Sequence, residues 1–182
     1  MFRKRERVIV VSVRKDLPIA ETFHFPTPLS QTRRFYDLLE DDPDERYYLT
    51  DERLEYYENH SEECKERGLG FRFSPVKREN CEIAKTLTTK ADRLESNYID
   101  ERARGHHEVK IQVKSGVRKL TPREYWRLMG FDDSDFDKAN EISSDTQLYK
   151  QAGNSIVVNV LQGIMGNLLV HDRSDWLDEL LS

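Results

Sequence analysis

Apolar positions are sparse and unevenly spaced along the 182 residues, and their pattern predicts few strands. Val8 to Val13 reads V-I-V-V-S-V, a β-branched run bounded by charges. A run apolar on both faces predicts a strand buried inside a parallel or mixed sheet. Such a strand needs neighbours, and the rest of the chain offers few. Phe25-Pro26-Thr27-Pro28 fits neither helix nor central strand and predicts a linker. Helices are predicted over 31–40 and 50–67, the second with Leu54, Tyr57 and Cys64 on one side and closed by Gly68 and Gly70. Phe71 and Phe73 alternate with Arg72 as a short strand. Residues 108–114 alternate Val109, Ile111 and Val113 against Lys110, Gln112 and Lys114, a half-exposed strand with one basic face.

Helical signals dominate the C-terminal third. Thr121-Pro122-Arg123-Glu124 combines an N-cap, proline at the first helical position and a Thr-x-x-Glu capping box. That helix is expected to stop at Gly130. A second is expected over 144–152, ended by Gly153 in a left-handed turn. A third, over 156–169, places Val157, Val160, Leu161, Ile164 and Leu168 on one stripe, and a short helix is expected over 174–181. The predicted class is α+β, with sparse strands.

Charged residues make up 35% of the chain and the apolar set 37%, with net charge -5. The distribution changes what that net charge means. Residues 1–15 hold six Lys/Arg against one acid, 37–63 twelve acids against two Arg, and 65–123 fifteen Lys/Arg against eight acids. Two basic segments flanking an acidic one are compatible with a nucleic-acid partner, because local charge governs phosphate binding. No apolar run approaches the ~20 residues of a membrane span, and no N-terminal segment reads as a signal peptide. Cys64 and Cys81 are too few for a disulfide scaffold or a four-thiolate zinc site. They point to a reducing, cytoplasmic setting and to structural roles. His106-His107 has no further ligand at zinc spacing, so no metal is expected. No glycine-rich loop follows a strand and opens a helix.

Two stretches carry more specific information: Arg118-Lys119-Leu120-Thr121-Pro122-Arg123-Glu124 with Arg127-Leu128-Met129-Gly130-Phe131, and Gln147 to Val158 with Gln-Ala-Gly-Asn-Ser at its centre. In this order and spacing they resemble the last two motifs of the DNA cytosine-5 methyltransferases. Arg3-Lys4-Arg5-Glu6-Arg7-Val8 resembles that family's Gln-x-Arg-x-Arg motif, with Arg3 standing where the family has Gln. Ala84-Lys85-Thr86-Leu87-Thr88 resembles the Thr-Leu signature of its target recognition domain. The family's catalytic Pro-Cys pair, Glu-Asn-Val motif and cofactor glycine loop are not in this sequence. Cys81 follows Glu79-Asn80 with no proline before it and is not read as a displaced nucleophile.

The resemblance therefore implies the C-terminal part of such an enzyme: a natural second subunit, a truncated form or a remnant. Its implied partners are double-stranded DNA and the catalytic N-terminal portion, with no membrane, and its implied cofactor is S-adenosylmethionine. The implied domains are 1–16, a fragment of a Rossmann-like catalytic domain; 17–145, the target recognition domain; and 146–182, helices returning to the catalytic domain. In the family reaction a cysteine thiolate adds to C6 of a flipped-out cytosine and C5 takes the methyl group. By resemblance Arg7 stabilises the charge that develops on the ring, and Arg5 supports it. Asn154, Ser155 and Ile156 border the cofactor. Thr86 and Leu87 meet the DNA backbone, and Lys85, Lys90 and Arg93 neutralise phosphates. Arg123 is expected to pair with an acid of the small domain and Glu124 to close the capping box. The competing expectation is a free-standing DNA-binding or regulatory module that joins no methyltransferase.

Overall fold

The computed structural model describes residues 8–17, 19–27, 34–70, 72–93, 96–102 and 114–169. They fall into two compact units: residues 34–155, and residues 8–27 with 156–169. The chain is α+β.

The first unit is built on a four-stranded mixed sheet. Its strands are β1 (Tyr48–Thr50), β2 (Val76–Lys77), β3 (Tyr98–Asp100) and β4 (Lys114–Lys119), in the order β1-β4-β3-β2. β4 is antiparallel to both neighbours, and β2 runs parallel to β3. Arg118 stands opposite Tyr48 on one side and Ile99 on the other. Of the strand expected from Phe71 and Phe73, Phe71 lies outside the described residues, Arg72 and Phe73 are irregular, and pairing starts at Val76. The strand expected over 108–114 lies almost entirely outside the described residues. β4 instead runs on from Lys114 through Gly116, whose φ of +69° interrupts any simple alternation.

Around the sheet pack α2 (Asp51–Glu66), α3 (Pro122–Leu128), α4 (Asp133–Asn140) and α5 (Asp145–Asn154). α2 matches the expected 50–67. Thr50 caps its start by accepting from the Arg53 amide, and Gly68, at φ +69°, ends it while the Leu69 amide returns to the Cys64 carbonyl. Tyr57 and Cys64 are its buried residues, and Leu54 packs against the cluster of Leu49, Tyr57, Tyr98 and Val117. α3 has the predicted capping box: the Glu124 amide donates to Thr121 Oγ at 3.1 Å and the Thr121 amide to the Glu124 carboxylate at 2.8 Å. Only Phe35–Leu38, a single 3-10 turn, forms within the helix expected over 31–40; residues 31–33 lie outside the described set.

The second unit contains α1 (Ile19–Thr22) and α6 (Val158–Leu169). The segment ahead of Pro28 packs on α6: the Asn167 side chain donates to the His24 carbonyl at 3.1 Å, and a Cβ at Gly163 would come within 3.2 Å of Pro26 Cγ. The expected strand at 8–13 is not formed. Those residues are irregular and Val8 is 93% exposed, because strand propensity without a neighbouring strand leaves the backbone unpaired. The stripe expected on the last helix is also only partly covered: Ile164 is buried, whereas Val160 and Leu161 are exposed. The helix expected over 174–181 lies outside the described residues.

A buried charge network fixes the sheet to α3. Arg118 is fully buried and makes a two-pronged pair with Glu124, both bonds 2.9 Å, while its Nε donates to Glu101 at 3.1 Å. Glu101 also accepts from the Tyr48 hydroxyl at 2.5 Å and from Arg78 at 3.4 Å. Arg78 continues to the Glu40 carbonyl and to Asp41, both through short bonds of 2.7 and 2.8 Å. Burial pushes the Glu101 carboxyl upward, but Arg118, Tyr48 and Arg78 reverse that and hold it below the usual carboxylate range. Burial likewise opposes the charge on Arg118, and Glu124 and Glu101 overcome it. Cys81 is buried and donates to the Lys77 carbonyl at 3.4 Å, and burial pushes its thiol up to about 11.

Three outcomes follow from this packing. Arg118→Ala takes from buried Glu124 its cationic partner and from buried Glu101 the nearer of two, and should cost about 3–5 kcal/mol in urea unfolding, whereas Arg102→Ala, at an exposed pair with Asp100, should cost less than about 1 kcal/mol. Because the folded chain holds Glu101 below its ordinary pKa of ~4.3, that contribution is full above about pH 5.5 and fades as pH falls through the folded value. Glu101→Gln should therefore lower stability at pH 7 and flatten the acid limb of the stability curve. A thiol with a pKa of about 11 is roughly 0.1% ionised at pH 8, so alkylation of native Cys81 by iodoacetamide should run more than about 100-fold slower than in the urea-unfolded chain, read by mass spectrometry.

Candidate functional site

Residues 84–91 form an irregular loop pinned into the first unit by its apolar side chains. Ala84, Leu87 and Ala91 are buried, and Thr86 between them is exposed. Leu87 is 1% exposed, so it anchors the loop in the core. Thr88 Oγ donates to the Lys90 carbonyl at 2.6 Å and closes a tight turn.

Asn97, just ahead of β3, holds the loop by its main chain. Its Oδ1 accepts from the Lys85 amide at 2.7 Å and its Nδ2 donates to the Lys85 carbonyl at 3.2 Å. Lys85 itself is half-buried, and its ammonium donates to Ser74 Oγ at 2.7 Å and to the Ser74 carbonyl at 3.3 Å. Lys90 and Arg93 are exposed. The Arg93 amide donates to Ser96 Oγ at 3.2 Å.

The segment Ala152 to Ser155 meets this loop. Trp126 Nε1 donates to the Leu148 carbonyl at 3.1 Å and the Tyr149 hydroxyl to the Leu120 carbonyl at 2.6 Å, so α3 places α5. Gly153 lies inside α5 rather than ending it in a left-handed turn, which corrects the expectation from sequence. Its lack of a side chain serves close approach instead. A Cβ there would sit 2.6 Å from the Thr88 carbonyl oxygen and 2.8 Å from the Thr89 amide nitrogen. Asn154 is exposed at the last position of α5, and Ser155 donates its hydroxyl to the Ala152 carbonyl at 2.8 Å. Ile156 is 41% exposed. Arg5 and Arg7 lie outside the described residues. So do residues 94–95 and 103–113, which include His106-His107.

Electrostatics narrows the basic segment. Arg78, Arg102, Arg118 and Arg123 are all bonded to carboxylates. Arg123 reaches Asp137 at 2.6 Å and Glu40 at 3.5 Å, the pairing with an acid that the sequence led one to expect. Arg72, Lys77, Lys90 and Arg93 are the exposed cations of that segment nearest the loop in sequence. Sequence reasoning missed Asn97 and the Glu101–Arg118 pair. An arginine beside Val117, six residues before a capping-box glutamate, was a signal that Arg118 is buried and paired, though with Glu124; nothing marked Glu101 or Asn97. Among the described residues no group of three His, Cys, Asp or Glu is placed to hold a metal ion, and no helix is long and apolar enough to cross a membrane.

Comparison with known proteins bears on what this arrangement is. The type II methyltransferase M.DsaV of Dactylococcopsis salina is 34% identical over 167 residues, covering 92% of this chain and 43% of that protein. M.HpaII of Haemophilus parainfluenzae is 31% identical over 166 residues, covering 88% and 44%. The chain thus spans less than half the length of these relatives. In fold it resembles the Dnmt2 methyltransferase of S. pombe, with a TM-score of 0.54 at 22% identity, over 78% of this chain and 43% of the other. The sequence pattern of the C-5 cytosine-specific DNA methylases matches residues 2–169, and this chain belongs to that family.

Proposed function

We propose that this chain recognises DNA and completes the active site of a cytosine-5 methyltransferase whose catalytic cysteine is supplied by another portion of the enzyme. The observation that carries the reading is the packing of Gly153 on the Thr88–Thr89 peptide. It joins the segment resembling the family's DNA-contacting Thr-Leu signature to the segment resembling its cofactor-bordering motif.

In this reading residues 17–145 are the recognition domain, while 1–16 and 146–182 belong with the catalytic domain. The exposed apolar residues Val8, Val10, Leu161 and Met165 of the second unit are compatible with it, being surface that a catalytic portion would cover. The exposed Thr86 hydroxyl meets the DNA backbone beside the reacting nucleotide, and the Leu87 side chain holds that loop in the core. Lys90 and Arg93 neutralise phosphates, with Lys85 contributing whatever donors Ser74 leaves it. S-adenosylmethionine, when bound, supplies the methyl group. Asn154, Ser155 and Ile156 suit a ligand with polar and apolar parts: an exposed carboxamide, a hydroxyl oxygen able to accept, and a half-exposed aliphatic side chain. Arg7 holds a positive charge against the developing negative charge of the cytosine ring, with Arg5 beside it in sequence.

The 182-residue chain alone should transfer no labelled methyl group from S-adenosylmethionine to DNA. Joined to the portion of M.DsaV that it does not match, it should do so. Arg7→Ala in that hybrid should slow single-turnover transfer by roughly 10²–10³-fold with little loss of DNA affinity. Turnover by the chain alone, or a hybrid that binds DNA without methylating it, would overturn the reading.

A further inference from the structure

The loop carrying Thr86 is held from two directions within three residues. Upstream, the Asn97 carboxamide takes both the amide and the carbonyl of Lys85. A side chain thereby imitates the paired bonds that a neighbouring strand would make, and it satisfies main-chain groups that an irregular segment otherwise leaves to water. Asn97 is itself 6% exposed, so its orientation is fixed by packing. Downstream, the Thr88–Thr89 peptide lies against Gly153, with three main-chain atoms closer than 3.0 Å to where a Cβ would stand. Glycine weakens a helix interior relative to alanine, and this approach is the physical reason for its presence in α5. Only Thr86 and Leu87 lie between the two holds, and Leu87 is buried. Two residues between fixed points leave the exposed threonine little room to wander.

We propose that Asn97 and Gly153 are positioning residues: together they fix the Thr86 hydroxyl relative to the Asn154–Ser155 end of α5, so that the segment facing DNA and the segment facing the cofactor act as one rigid piece. The functional half of this inference rests on the reading above; the mechanical half does not. Asn97→Ala removes both bonds to Lys85. Asn97→Asp keeps the acceptor for the Lys85 amide and loses the donor to its carbonyl, and so serves if the alanine variant is poorly folded. Gly153→Ala drives a methyl group into the Thr88–Thr89 peptide.

The test has two arms. In the 182-residue chain, hydrogen exchange of the Lys85 amide in Asn97→Ala, and of the Thr88 and Thr89 amides in Gly153→Ala, should quicken at least ten-fold while the amides of β4 and α3 keep wild-type protection. In the M.DsaV hybrid, Asn97→Asp and Gly153→Ala should lower single-turnover methyl transfer roughly ten-fold or more, with DNA dissociation constants within about two-fold of wild type. Unchanged exchange at residues 85–89 overturns the inference, as does wild-type transfer by both variants. A hybrid that never methylates DNA sinks the functional reading instead, and the exchange arm still decides whether the loop is clamped.

Discussion

Arg118 places a guanidinium where no water reaches it, bonded to two carboxylates that are themselves buried. Such a group contributes little net stability, because desolvation consumes most of the Coulombic gain; what it does is penalise every arrangement that separates it from its partners. β4 stands between β1 and β3, with Arg118 opposite Tyr48 and Ile99. A one-residue slip would turn the guanidinium to the opposite face and strand both carboxylates. Glu124 is also the residue that closes the α3 capping box, so the start of that helix is tied to the same register. From there the bonds of Trp126 to Leu148 and of Tyr149 to Leu120 place α5, and Gly153 of α5 places the Thr86 loop. One buried pair thus orders a succession of contacts that ends at the exposed threonine.

Helices α2 and α3 were legible because their signals are local. Thr121, Pro122 and Glu124 announce α3, and Thr50 with Gly68 brackets α2, each through atoms within a few residues. The sheet was far less legible. β1 and β3 have three residues each and β2 has two, too short to show a period, while Gly116 breaks the pattern of β4. Conversely, Val8–Val13, the stretch most like a strand in composition, is irregular. Strand propensity measures fit to a pleated neighbour and does not create one. α4 went unpredicted because Phe136 is its single buried residue. Gly153 stood out in the sequence for the wrong reason. A glycine near a helix end fits a left-handed cap and a close approach equally well, and only the position of Thr88 distinguishes them.

Charge counting along the sequence misled in one respect that bears on function. The segment 65–123 looks strongly basic, and 37–63 strongly acidic. Folding brings parts of them together: Arg78 onto Asp41, and Arg123 onto Glu40 and onto Asp137 of α4. Arg102 is paired with Asp100 of the same basic segment, and Arg118 with Glu101 of that segment and Glu124 just beyond it. Among the described residues this pairing leaves Arg72, Lys77, Lys90 and Arg93 as the exposed cations nearest the Thr86 loop in sequence. A surface of that kind cannot rely on long-range attraction, which salt screens within about 10 Å. Under the proposed function, discrimination then depends on holding a few groups at defined distances from the duplex. That requirement is met by anchoring the loop through Leu87, Asn97 and Gly153 rather than by adding charge, and it explains why buried neutral contacts govern the placement of Thr86, Lys90 and their neighbours.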